Sequence, residues 1–102
     1  MSGFRLSRSA EVDLRIIFLQ GLDMFGRRQA LGYAEELKKR FSLLADYPTL
    51  GRDIGHVAPT LRTYPYEAHV IVYRPDPDDG IRVLRIRHAR ENWMADPLGD
   101  QP

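Results

Sequence analysis

The residues best equipped for chemistry gather in one short stretch. Positions 81–90 hold Arg82, Arg85, Arg87, His88 and Arg90 and no carboxylate. A guanidinium is planar and permanently charged, so it grips a phosphate or a carboxylate through two parallel hydrogen bonds. His88 is the one member of the set that titrates near neutral pH, and so the one suited to passing a proton. Tyr73 and Trp93 flank the stretch with rings able to stack on a base or pack against a partner side chain. Two readings stand side by side. The stretch is a binding surface for an anion such as nucleic acid or an acidic peptide, or it is a solvated strand face whose charge discourages aggregation.

Other chemistries find little support. His56, His69 and His88 lack the helical i, i+4 spacing and the acidic or thiol company of metal ligands. His69, at the centre of an apolar run, reads as structural. No Gly-rich phosphate loop, GxSxG element or Ser/His/Asp set is present. No metal or cofactor is expected. The absence of cysteine removes disulfides and thiolate sites. With a net charge of +1 the molecule as a whole is not an electrostatic DNA binder. Of its 15 basic residues 13 are arginine, which fits either a demand for bidentate contacts or GC-rich codon usage.

Those residues need a scaffold, and 102 residues allow one hydrophobic core. No apolar run approaches the ~18 residues of a membrane span, and the first residues lack the apolar centre of a signal peptide. A cytoplasmic protein is expected. Phe4 to Ser7 alternate as a short strand does, and Ser7 or Ser9 can cap a helix. Ala10, Leu14, Ile17, Phe18, Gly21 and Phe25 recur at steps of three and four, as do Ala30, Tyr33, Ala34, Leu37, Phe41, Leu44 and Ala45. Gly26 separates the two stripes, which predicts an antiparallel helical hairpin ending before Pro48.

Residues 47–59 are rich in Pro, Gly and Asp and read as a loop. Three β-branched and aromatic runs follow, at 61–64, 68–73 and 81–88. The first break between them falls at Pro65 and the second at residues 75–80. The order predicts an α+β fold, β-α-α-β-β-β, with the hairpin on one face of a mainly antiparallel sheet. One domain spans residues 1–95, followed by a flexible tail from Asp96 to Pro102. Strict alternation in the last run puts Arg82, Leu84, Ile86 and His88 on one side, with Leu84 and Ile86 against the helices. It puts Ile81, Val83, Arg85 and Arg87 on the other, with the two arginines projecting outward.

In this order and spacing the chain resembles the ParE branch of the ParE/RelE superfamily, from about Phe4 to Trp93. The resemblance is carried by Leu6 to Leu14, Phe25-Gly26, Leu43-Leu44 to Pro48, Leu50-Gly51-Arg52 and Leu61-Arg62. It continues through His69 to Arg74 and Ile81 to Arg90. It implies a toxin neutralised by a cognate ParD-like antitoxin that wraps the hairpin and sheet by coupled folding. ParE-like members are associated with inhibition of DNA gyrase, without catalysis, and RelE-like members with cleavage of messenger RNA on the ribosome. The absence of a late tyrosine and the His88-Ala89-Arg90 ending look like ParE. Tyr73, Arg82, Arg85, Arg87, His88, Arg90 and Trp93 are then expected to meet a partner. In the RelE-like alternative Arg85, Arg87, His88 and Arg90 would be catalytic. A third reading is a non-toxic co-repressor that binds the antitoxin. In each, operator DNA is reached only through the antitoxin, and no membrane is involved.

Overall fold

Ser7 turns the chain from its first strand into its first helix. Its side chain accepts a hydrogen bond from the Ala10 backbone N–H at 3.0 Å, satisfying one of the helix's orphan donors. The computed structural model describes residues 3–78 and 80–99, with β1 at Phe4–Leu6 and α1 at Arg8–Phe25. Gly26, at φ +85°, stops α1 in a conformation that a Cβ would strain, and α2 runs from Arg27–Asp46. Four strands follow: β2 (Arg52–Asp53), β3 (Arg62–Tyr66), β4 (His69–Pro75) and β5 (Ile81–His88), then a 3-10 turn at Trp93–Ala95.

The sheet order is β1-β5-β4-β3-β2. β3, β4 and β5 form the expected antiparallel meander, while β1 joins the far side of β5 in parallel. The architecture is the predicted α+β one, with two local differences. The loop at 47–59 contains β2, which pairs with β3 through Arg52 and Asp53. Pro65 lies inside β3 opposite Val70, and the turn falls later, where Glu67 takes φ +51°. β2 pairs only as far as Thr63, so Pro65 sits on an open edge where its missing N–H costs no ladder bond.

The core lies between α2 and the sheet. Leu37, Phe41 and Leu44 pack with Ile71, Tyr73, Ile81, Val83 and Ile86. Burying each such aliphatic or aromatic side chain contributes roughly 1.5–3 kcal/mol. α1 lies close against β5 but buries fewer side chains: Ala10 is its one buried hydrophobic residue, and Leu14 and Ile17 are half-buried.

A β-bulge overturns the alternation expected in β5. Tyr73 opposes Val83 and Val72 opposes Arg85, so Leu84 has no partner across the ladder. The extra residue resets the faces. Ile81 and Val83 join the hairpin core, as does Ile86 beyond the bulge. Leu84 packs on the opposite face with Ile54, Leu61, Val72, Met94 and Leu98. Val83, not Leu84, is therefore the helix-facing residue.

β1 stops at Leu6, which leaves the far half of β5 as a bare edge. Side chains at the start of α1 complete it. Ser7 Oγ donates to Leu84 O at 2.7 Å, and the Ile86 backbone N–H donates to Asp13 Oδ2 at 2.9 Å. Residues 96–98, where the sequence suggests mobility, lie against the sheet and offer their carbonyls to Arg85 and Arg87. The end of the expected tail, 100–102, lies outside the described residues, as do Asp79 and residues 1–2.

Candidate functional site

The basic stretch divides between the two faces of the sheet. Arg85 lies on the open face, where Nε and Nη2 donate to Asp13 at 2.7 and 3.0 Å and Nη1 donates to the Leu98 carbonyl. The bond to Asp13 raises its affinity for the proton. Arg87, on the same face, donates to the carbonyls of Asp96 and Pro97 at 2.6 and 3.0 Å and to Glu91 at 3.1 Å. Glu91 is held below the usual carboxylate range by Arg87 and by the His88 backbone N–H. The side chains of Arg85 and Arg87 are only 15% and 11% exposed. They do not project toward a partner; they fasten the helix start and the C-terminal segment to β5.

His88 faces the other way. Its ring lies 5.3 Å from that of His69, on the hairpin side. His88 Nδ1 accepts the Arg90 backbone N–H at 3.1 Å. Arg90 is exposed at the turn after β5, and Trp93 is half-buried at the start of the 3-10 turn. Tyr73 is fully buried: its hydroxyl donates to Pro48 O and accepts from Gly51 N, both at 2.8 Å. Of the seven expected contact residues, Arg82, His88, Arg90 and Trp93 keep exposed surface, while Tyr73, Arg85 and Arg87 are committed inside the chain.

His69 opens β4 rather than sitting at the centre of a strand, and it is half-buried. Tyr33 Oη lies 2.7 Å from its Nδ1 and 3.3 Å from the Tyr66 carbonyl. Burial, and then the charge of His88, lowers its proton affinity. Burial raises the Tyr33 hydroxyl to about 12. These rings line an open groove of about 460 Å³ with Met24, Phe25 and Ala30. Phe41, part of the second helical stripe, is fully buried.

The hairpin also carries an apolar surface that its stripe spacing alone does not reveal. Ile16 (46%), Leu19 (54%), Met24 (71%), Phe25 (58%) and Leu31 (42%) stand exposed on α1 and α2. A second groove, of about 330 Å³, runs between the helices past Leu14, Phe18, Leu31 and Ala34. The signal is present in the run Ile16-Ile17-Phe18-Leu19, which is wider than one helix stripe can bury.

Solved proteins share this arrangement. The chromosomal ParDE toxin–antitoxin system from P. aeruginosa matches with a TM-score of 0.73 and 22% identity, over 86% of this chain and 96% of that one. The toxin–antitoxin complex RelBE2 from Mycobacterium tuberculosis gives 0.62 and 18%, over 85% and 96%. The class is therefore that of ParE/RelE-fold proteins. The model of the ParE toxins of type II toxin–antitoxin systems matches residues 4–93, and the chain belongs to that family. Toxin ParE1 of Caulobacter vibrioides is 32% identical over 97 residues, 93% of this chain and 97% of the relative. Toxin ParE1 of Mycobacterium tuberculosis is 30% identical over 89 residues, 87% and 91% respectively.

Proposed function

We propose that this ParE-family toxin is neutralised by a ParD-like antitoxin and, when released in the cytoplasm, inhibits DNA gyrase by binding it rather than by cutting a substrate. The observation that carries the non-nuclease reading is the division of the basic stretch. Metal-free cleavage of RNA needs an acid–base group and cations within hydrogen-bond reach of one phosphate. Arg85 and Arg87 spend their donors on Asp13, Glu91 and backbone carbonyls on one face, whereas His88 lies on the other. The exposed apolar rows of the hairpin support the antitoxin half, since a helix or strand folding onto them would bury surface that a monomer leaves wet.

The test is a comparison of two assays on the purified chain. Supercoiling by gyrase should fall and cleaved DNA should accumulate, while ribosome-bound message stays intact. His88→Ala should change inhibition by no more than about twofold, whereas a general acid–base role would cost ~10²–10⁴-fold. Cut message with untouched gyrase would overturn the reading.

A further inference from the structure

Three arginines that the fold does not consume stand side by side across the open face of the sheet. The parallel register sets Arg5 of β1 beside Arg82 of β5, and the antiparallel register sets Arg74 of β4 on the other side of Arg82. Their strand neighbours Phe4, Leu6, Tyr73, Ile81 and Val83 all pack into the hairpin core, so the three guanidiniums share the opposite face. Arg5 is exposed and the other two are half-exposed. Among the described residues none of the three makes an ion pair or a hydrogen bond through its side chain. That contrasts with Arg62, Arg85 and Arg87, which all have partners.

Like charges directly opposed on neighbouring strands repel and destabilise a sheet. Here two such pairs adjoin. A bound polyanion would relieve the repulsion. The row lies on a face, so an acidic peptide seated there could not add a strand by backbone hydrogen bonding, which needs an edge. A phosphodiester backbone needs no such bonds, because its charges recur at every nucleotide. The open-face positions of β1, β4 and β5 carry no aromatic ring on which separated bases could stack, so single strands gain no stacking there.

We infer that Arg5, Arg82 and Arg74 form a docking surface for the phosphate backbone of duplex DNA. The inference rests on the gyrase reading to the extent that gyrase holds duplex DNA where a bound toxin meets it. With strands about 4.8 Å apart the three Cα atoms span roughly 10 Å, enough for contacts to about three phosphates.

Binding of the purified chain to a fluorescent duplex, followed by anisotropy between 50 and 200 mM salt and without gyrase, tests the surface directly. Three phosphate contacts give a log–log salt slope of about −2.7, or roughly 40-fold weaker binding across that range. Arg82→Gln should weaken binding roughly tenfold at 50 mM salt and reduce the slope by about 0.9. It should also raise Tm by a few degrees as repulsion is relieved, which separates a lost contact from a damaged fold. Lys39→Gln, on the outer face of α2, should leave binding unchanged. Equal loss in the two variants would mean that net charge alone acts, and the inference falls. It falls as well if duplex does not bind, or if a glutamate-rich peptide displaces it at equal charge. Duplex binding by the wild-type chain that Arg82→Gln weakens, together with gyrase that the wild-type chain leaves uninhibited, would leave this surface standing and remove the gyrase reading. Full gyrase inhibition by a chain that binds no duplex would do the reverse.

Discussion

Asp13 accepts three hydrogen bonds, two from Arg85 and one from the backbone N–H of Ile86. One carboxylate thus closes the bare edge of β5 and neutralises a guanidinium drawn out of water. Asp13→Ala leaves a largely buried cation and a backbone donor without a partner, for an expected loss of about 2–3 kcal/mol in urea unfolding. Asp13→Asn keeps an acceptor and should cost less; equal losses would show that the charge is immaterial. His69 sets a pH dependence. It contacts Tyr33 of α2 and His88 of β5, and burial followed by His88 lowers its proton affinity against smaller opposing pulls from Asp13 and Glu91. The unfolded chain, with its histidine near 6.5, therefore binds the proton first. The contribution is complete above about pH 6.5 and is lost as the pH falls below it. Tm should be level from pH 8 to 7 and decline toward pH 5, and His69→Gln should flatten that decline. An unchanged decline in the variant would assign it to another group.

At the scale of elements, the loop after α2 is held by one buried side chain. Tyr73 ties Pro48 and Gly51 to β4, and Arg62 adds a bond from Nη1 to Gly51 O at 2.7 Å. Tyr73→Phe removes two hydrogen bonds and strands a buried N–H, for about 1–3 kcal/mol. Gly51→Ala should cost more, because its Cβ would meet the Tyr73 hydroxyl and, at 2.8 Å, the Thr63 carbonyl. Urea midpoints should rank wild type above Tyr73→Phe and that above Gly51→Ala; the opposite order would mean that the loop yields freely. The bulge at Leu84 is the other decisive local feature. It puts Leu84 and Arg85 on one face in succession, which turns Arg85 toward both Asp13 and Leu98.

On the scale of the molecule, apolar surface is unevenly shared. Around Val72 and Leu84 the sheet's open face is covered by Ile54, Leu61, Met94 and Leu98, whereas the outer hairpin keeps Ile16, Leu19 and Leu31 in water. Leu31→Asp should leave fold and toxicity intact but prevent rescue of growth by the co-expressed antitoxin. Rescue at wild-type level would place the antitoxin elsewhere. An antitoxin that binds the folded chain should also make the wild-type complex melt higher than the free chain, by about 4 kcal/mol of stabilisation at a thousand times Kd. Among the described residues no helix is long and apolar enough to cross a membrane.

The stripes of α1 and α2, the stop at Gly26 and the span of β5 were legible because helix period, caps and β-branched runs are local properties of the chain. The family was legible for the same reason, through the order of those local signals. The fate of individual arginines was not. Whether Arg85 projects or is paired depends on one extra residue in a ladder, and on Asp13 lying 72 positions away. Whether Arg5 stands beside Arg82 depends on β1 joining β5 in parallel, a pairing that no local pattern encodes. Composition concentrated positive charge near the C-terminus; register and burial decided which of those charges are spent inside the fold and which remain for a partner.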